Sequence, residues 1–201
     1  MDGNLLLAAF GLGKRPELVA IVGGGGKTSL MFALARAWPG RVITTTTTRI
    51  FAAQMSLSPG VVRLGDWETD LEAIIAQVQL HLERFGQCLI VGQLGEGSNV
   101  GKALGVSPEL PGRLLGQAGI DLVLVEADGS RMKPIKAPAD HEPVIPAETT
   151  LVVPVVGIDA LDGSLDEVTH RPERVRELIV NSQRSIANCQ RRLSSPLTID
   201  H

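Results

Sequence analysis

The chain has 201 residues, 44% of them hydrophobic and 20% charged, which is the profile of a globular protein with one domain or one domain plus a small appendage. Aromatic residues make up only 3% and the net charge is −3, which argues against a nucleic-acid-binding protein and against attachment to an anionic membrane. The sequence shows no secretory signal and no apolar run of about 20 residues, so we expect a cytoplasmic protein.

Strands and helices alternate in the first half of the chain. Residues 18–22 form an apolar run that ends in glycines and predict a buried parallel strand, and residues 28–38 predict a helix. Residues 41–50 are β-branched almost throughout and predict a second strand. Residues 67–85 repeat apolar side chains with the helical period, with Asp66 as the expected cap and Gly86 as the expected end.

The second half continues the alternation. We expect a strand at 88–92, a short helix near 109–117, a strand in IDLVLVEADG, a fifth strand in TTLVVPVVGIDAL and a helix from Arg171 onward. A proline-rich connection, MKPIKAPADHEPVIPAE, precedes the fifth strand and is too long for an ordinary loop, which favours a functional role. The pattern predicts a three-layer α/β fold with a mainly parallel sheet.

The glycine-rich segment after the first strand matches the end of a phosphate-binding loop, G-x-x-x-x-G-K-[ST]. Its expected phosphate-binding residues are Gly23, Gly24, Gly25, Gly26, Lys27, Thr28 and Ser29. The first glycine of the pattern is replaced by Ile21, so either the loop is shorter and opens at Gly23, or Ile21 still belongs to the strand. A lysine is unfavourable at a helix N-terminus unless an anion sits there, which favours phosphate binding over a simple turn.

Two acidic residues close the strand LVLVEAD. Glu126 and Asp128 are two residues apart and therefore project to the same side of the strand. Together with the Thr28 hydroxyl they predict a Mg²⁺ site, although a strand-end turn at Asp128 explains the same residues. Lys27, Asp128 and Arg131 are the expected catalytic residues.

Further polar residues surround these motifs. The run from Thr44 to Thr48 is explained equally well by β-propensity and by ligand binding, and Thr45 is the expected contact with the cofactor. Ser130, Arg131, Lys133 and Lys136 provide donors for a phosphate or an anionic substrate. His141 and Glu142 could transfer protons but favour a structural role, and THRPERV is typical of a helix cap.

Five segments resemble, in order, those of the YqeC family: VGGGGKTSLMFALA, VITTTTTRI, LVLVEADGSRMKPIKAPADHEPVIP, VVGIDAL and THRPERV. The family is described as selenium cofactor biosynthesis or selenium-dependent hydroxylase accessory proteins. The resemblance covers residues 18–177 and implies a P-loop NTPase-like fold in a single domain of residues 1–180. After about residue 177 the sequence departs from the family pattern, and we expect residues 181–201 to be a natural truncation, a divergent end or a partly disordered tail.

The resemblance implies a cytoplasmic protein that binds ATP or GTP with Mg²⁺ and assists maturation of selenium-dependent molybdenum hydroxylases. Residues 23–28 would bind the nucleotide phosphates, Glu126 and Asp128 the metal, and residues 130–136 would face the substrate. An NTPase or a phosphoryl or nucleotidyl transferase is the leading hypothesis. Two alternatives stay open, namely a non-enzymatic carrier of a molybdenum pterin-dinucleotide cofactor and a kinase for a small metabolite. The expected partners are the nucleotide, the pterin cofactor and the hydroxylase.

Overall fold

The computed structural model of the protein describes residues 3–13, 15–65 and 70–193, the last ten of these by their backbone. The helices in this part of the chain are α1 (Gly3–Ala9), α2 (Lys27–Ala37), α3 (Leu71–Phe85), α4 (Leu110–Leu114), α5 (Leu165–Val168) and α6 (Pro172–Leu193). The strands are β1 (Glu17–Gly23), β2 (Arg41–Thr46), β3 (Arg49–Phe51), β4 (Val61–Arg63), β5 (Gln87–Val91), β6 (Lys102–Leu104), β7 (Ile120–Glu126), β8 (Ile135–Lys136), β9 (Leu151–Val155) and β10 (Thr169–His170).

The described residues form an α/β fold around a six-stranded sheet in the order β4-β5-β2-β7-β1-β9, with every pair parallel, which confirms the predicted parallel sheet. Strand β1 lies between β7 and β9, so that Val19 is in register with Leu124 on one side and Leu151 on the other. After β1 the chain crosses over to β2, which lies on one side of β1. After β7 it crosses past β1 to β9, which lies on the other side. Ligands of open α/β sheets bind where the strand order reverses in this way, at the carboxyl ends of the strands.

Strand β1 shows how the core is divided. Leu18 and Ala20 pack into one hydrophobic cluster together with residues of α3 and α4. Val19 and Ile21 pack into a second cluster together with residues of α1 and α2. Because successive side chains of a strand point to opposite faces, the sheet is covered by helices on both faces and the described fold has three layers.

Helix α3 corrects one predicted boundary. It begins at Leu71, and the Asp70 carboxylate caps it by accepting a hydrogen bond from the Ala73 N–H at 3.0 Å. Asp70 is therefore the N-cap, while the predicted cap Asp66 and the predicted start Trp67 lie outside the described residues. Gly86 ends the helix with φ 70°, as predicted.

The threonine-rich strand predicted at 41–50 is divided in two. Strand β2 ends at Thr46, and β3 leaves the main sheet to pair antiparallel with β6. The proline-rich connection contributes β8, which pairs with β10 just before α6 begins. The expected short helix spans only Leu110–Leu114, and the fifth predicted strand is β9 at the edge of the sheet, where Pro154 is tolerated.

The last helix crosses the predicted domain boundary at residue 180. It continues from Pro172 to Leu193, and residues 194–201 lie outside the described residues. None of the helices in the described ranges is both long and apolar enough to cross a membrane.

Candidate functional site

The glycine loop, residues 23–26, follows β1 directly and explains the missing first glycine. Ile21 is fully buried inside β1, so its position belongs to the strand and the loop opens at Gly23. Gly23 and Gly26 have φ of 102° and 99°, values that L-residues rarely adopt. A Cβ on Gly24 would lie 1.9 Å from the Pro134 carbonyl oxygen. Backbone conformation and close approach therefore both favour glycine here.

Most of the loop N–H groups have acceptors within the protein. Gly23 donates to both carboxylate oxygens of Asp128 at 3.1 Å, Gly24 to the Val155 carbonyl at 2.7 Å, and Gly25 to the Pro134 carbonyl at 3.3 Å. The first turn of α2 has no side-chain cap, and the first N–H groups of a helix lack intrahelical acceptors. These N–H groups and the positive end of the helix are what the loop offers to an anion.

Lys27 lies folded over the loop and is 3% exposed. Its Nζ donates to the Gly23 carbonyl at 2.8 Å and lies 3.3 Å from Asp128 Oδ1 and 3.8 Å from Glu126 Oε1. The lysine therefore connects the loop to both predicted acidic residues. Its charge is neutralised by carboxylates in this arrangement.

Thr28 and Glu126 join the helix to the neighbouring strand. The Thr28 hydroxyl donates to Glu126 Oε2 at 2.6 Å across 98 residues of sequence. Burial raises the pKa of Glu126, and the hydrogen bond from Thr28 and the charge of Lys27 oppose that increase. Both Thr28 and Glu126 line the same cleft, whereas Asp128 is only 2% exposed.

The donor set fits Mg²⁺, which is commonly held by one or two carboxylates, a hydroxyl, phosphates and water. Within the described residues, no three His, Cys, Asp or Glu side chains lie close enough to hold a metal by themselves. Thr28 and Glu126 would therefore be the protein ligands of a Mg²⁺ that a bound phosphate completes. Asp128 accepts a hydrogen bond from the Gly23 N–H and lies within ion-pair distance of two lysines, and its role as a metal ligand stays a prediction.

A buried chain of ion pairs leads away from Asp128. Lys136 Nζ, whose side chain is fully buried, lies 3.2 Å from Asp128 Oδ2 and 3.0 Å from Glu142 Oε2. Arg171 donates to the same Glu142 oxygen at 2.8 Å and to the Ala137 carbonyl at 2.9 Å. This buried ion-pair chain ties the glycine loop to the proline-rich connection and to the start of α6.

Two titratable groups near the end of this chain are perturbed. Burial opposes ionisation of Glu142, but hydrogen bonds from Lys136, the Ala139 N–H and Arg171 outweigh it and lower its pKa to about 2. Burial and the nearby positive charges lower the pKa of His170. Glu142 therefore forms ion pairs with Lys136 and Arg171, whereas His141 is exposed and lines the cleft.

The other predicted site residues separate into two groups. Ser29, Ser130 and Arg131 line the cleft. Lys133 instead donates to the Glu167 carbonyl, and the buried Thr45 hydroxyl donates to the Ile90 carbonyl at 2.8 Å. Among the threonines of the run, the two that line the cleft are Thr47 and Thr48, which follow the end of β2.

The cleft itself has a volume of about 900 Å³ and lies at the carboxyl ends of β1, β2 and β7. Three non-glycine residues along it have positive φ, namely Arg131 (51°), Met132 (62°) and Arg171 (68°). Such strained backbone is concentrated at functional sites. Residues of β3 and β6 also line the cleft. Sequence reasoning missed them because the alternation extends over only three residues in each strand.

Comparison with known families matches this chain to the model described as YqeC protein over residues 19–173. The chain belongs to the YqeC family. A relative from Escherichia coli (strain K12), named "Uncharacterized protein YqeC", is 35% identical over 175 residues. The alignment covers 85% of this chain and 64% of the relative, so the chain spans less than two thirds of that protein's length. No solved structure matches.

Proposed function

We propose that this YqeC-family protein is a P-loop nucleotide-binding protein that binds the phosphates of ATP or GTP together with Mg²⁺ at the glycine loop. The observation that carries the proposal is the hydrogen bond between Thr28 and Glu126 beside the open first turn of α2. It pairs a hydroxyl on a helix N-terminus with a carboxylate at the end of an adjacent strand, which is the arrangement that Mg²⁺-phosphate sites use.

Each group in the cleft has a role in this proposal. The first-turn N–H groups of α2 bind phosphate oxygens, and Lys27 exchanges its bond to the Gly23 carbonyl for a phosphate oxygen. Thr28 and Glu126 hold Mg²⁺, which when bound neutralises charge on the phosphates. Asp128 keeps the loop in place through the Gly23 N–H, and Arg131, which also lines the cleft, supplies a positive charge.

Lys27 can exchange its present partners for a phosphate at a small cost in free energy, because Asp128 has a second counterion. Asp128 Oδ2 remains 3.2 Å from Lys136 when Lys27 turns to a phosphate. A buried carboxylate without a counterion would be strongly destabilising. The proposed chemistry is hydrolysis or transfer of a phosphoryl or nucleotidyl group, in the setting of selenium-dependent hydroxylase maturation that the family resemblance implies.

Isothermal titration with ATP and with GTP, each with and without Mg²⁺, tests the proposal. Lys27→Ala should weaken binding of the nucleotide at least about tenfold, the effect of one charge-assisted bond, because it removes the only loop cation. The control is Arg36→Ala, an exposed cation in the last turn of the same helix, which should change the affinity less than about twofold.

Two outcomes contradict the proposal. One is a native protein that binds neither nucleotide, and the other is a Lys27→Ala variant that binds as well as the native protein. The thermal unfolding of the variant should be recorded alongside, since Asp128 keeps Lys136 as a partner and the variant is expected to fold.

A further inference from the structure

A two-stranded antiparallel ribbon of β3 and β6 lines the same cleft as the glycine loop. Its register pairs Phe51 with Lys102, Ile50 with Ala103 and Arg49 with Leu104. Directly opposed residues of such a ribbon share a face, and neighbours along a strand alternate between faces. The ribbon face is therefore composed of four side chains: Arg49, Phe51, Lys102 and Leu104.

Burial confirms which face is turned to the core. Ile50 and Ala103 are 2% and 0% exposed and belong to the hydrophobic core on that side of the sheet. Phe51 is 46% exposed and Arg49 is also exposed. All four residues of the ribbon face line the 900 Å³ cleft.

The ribbon face alternates positive charge with apolar surface. Arg49 and Lys102, together with Arg131 from the neighbouring wall, make no ion pair with any acid in the described ranges of the chain. The carboxylates that line the cleft are already engaged, Glu126 with Thr28 and Lys27, and Glu142 with Lys136 and Arg171. The cleft thus carries positive charge that the protein leaves uncompensated.

A nucleotide alone does not account for this charge. Its phosphates are served by the glycine loop, and its base and ribose are uncharged at neutral pH. Unpaired cations beside an exposed aromatic side chain suit a flat or apolar ligand that carries an anionic group. The flat part of the ligand would pack on the Phe51 ring, and its anionic group would bond to Arg49 and Lys102.

We propose that the ribbon face binds a second ligand, a small aromatic or other planar molecule bearing a phosphate or carboxylate, next to the nucleotide. The inference rests on the proposed function for the glycine-loop half of the cleft, and it names the class of the co-substrate for that site. Such a subsite is needed both by an enzyme and by a carrier that acts on an anionic partner.

The test uses 1-naphthyl phosphate as a probe of this chemistry, with 1-naphthol and inorganic phosphate as its two halves. Binding to the full chain is measured by isothermal titration, and the Arg49→Gln/Lys102→Gln variant is compared with Arg36→Gln/Arg113→Gln. The control variant removes the same charge from exposed arginines that do not line the cleft.

We expect the native protein and the control to bind 1-naphthyl phosphate more tightly than either half, and the ribbon variant to bind it about tenfold more weakly. ATP affinity should be unchanged in the ribbon variant, while Lys27→Ala should show the reverse pattern. Unchanged thermal unfolding of the ribbon variant shows that a lost affinity is local.

Four results overturn the inference, and the first three are no binding of the probe by the native protein, equal binding by the ribbon and control variants, and a probe affinity that falls only in Lys27→Ala. An equal loss of ATP and probe affinity in the ribbon variant also overturns it, because the ribbon would then hold the base of the nucleotide. If the native protein binds no nucleotide, that result contradicts the proposed function instead. The probe titration can still be interpreted, because it contains no nucleotide.

Discussion

Glu142 is the central acid of the buried ion-pair chain, and replacing it measures how much that chain stabilises the fold. Its pKa falls from 4.5 to about 2, because the bonds from Lys136, the Ala139 N–H and Arg171 outweigh the effect of burial. At about 1.4 kcal/mol per pKa unit, the shift corresponds to at most about 3 kcal/mol, and solvent screening at the partly exposed Glu142 and Arg171 lowers the contribution to the free energy of unfolding to about 2 kcal/mol.

We expect Glu142→Gln to lower the free energy of unfolding by about 2 kcal/mol near neutral pH. Because the folded pKa lies below the ordinary value of 4.5, the stabilisation is complete above that pH and is lost as the pH falls towards about 2. The difference between native protein and variant should therefore shrink as the pH falls through this interval.

Urea unfolding followed by circular dichroism, at several pH values from about 7 to about 3, measures this difference. Glu148→Gln, an exposed residue of the same proline-rich connection, is the control and should have little effect at any pH. The reasoning is refuted if the difference in the free energy of unfolding between native protein and Glu142→Gln stays constant with pH, or if it is below about 1 kcal/mol at neutral pH. Either result would show that the charge of Glu142 does not stabilise the fold.

Three further predictions concern the loop, the metal and the buried thiol. Gly24→Ala places a Cβ 1.9 Å from the Pro134 carbonyl oxygen and should destabilise the fold by about 1–3 kcal/mol in urea unfolding, whereas Gly25→Ala, with its nearest contact at 3.5 Å, should be tolerated. Thr28→Ala should abolish the Mg²⁺ dependence of nucleotide binding in titration calorimetry, and Thr28→Ser, which keeps the hydroxyl, should restore it. Burial raises the pKa of the Cys88 thiol to about 12. Iodoacetamide at mildly alkaline pH should therefore leave Cys88 unmodified in the folded protein and modify it after unfolding, and peptide mass spectrometry measures the modification.

Apolar runs that alternate with segments of helical periodicity were enough to predict an α/β fold with a parallel sheet, because each pattern extends over many residues. Helix α3 illustrates this: its period and its end at Gly86 were predicted, while its start at Leu71 was not. Helix starts depend on which of several acids accepts an N–H, and Asp70 does so here.

The side chains around the glycine loop show where prediction from sequence stops. Local spacing indicated Lys27, Thr28 and Glu126, because a loop, a helix start and a strand end each have their own sequence pattern. It did not separate Asp128 from Glu126, nor remove Lys136 from the expected substrate contacts. Those distinctions depend on contacts between residues that are far apart in the chain.

By itself, therefore, the sequence determined the parallel α/β architecture, the glycine loop and the acids at the end of the strand. Tertiary structure decided that Ile21 belongs to the strand, that Lys136 is buried between two carboxylates, and that Arg49 and Lys102 line the cleft. The physical reason is that chain periodicity specifies which face of an element is buried. Which charges meet across the cleft depends on how elements separated by tens of residues pack together.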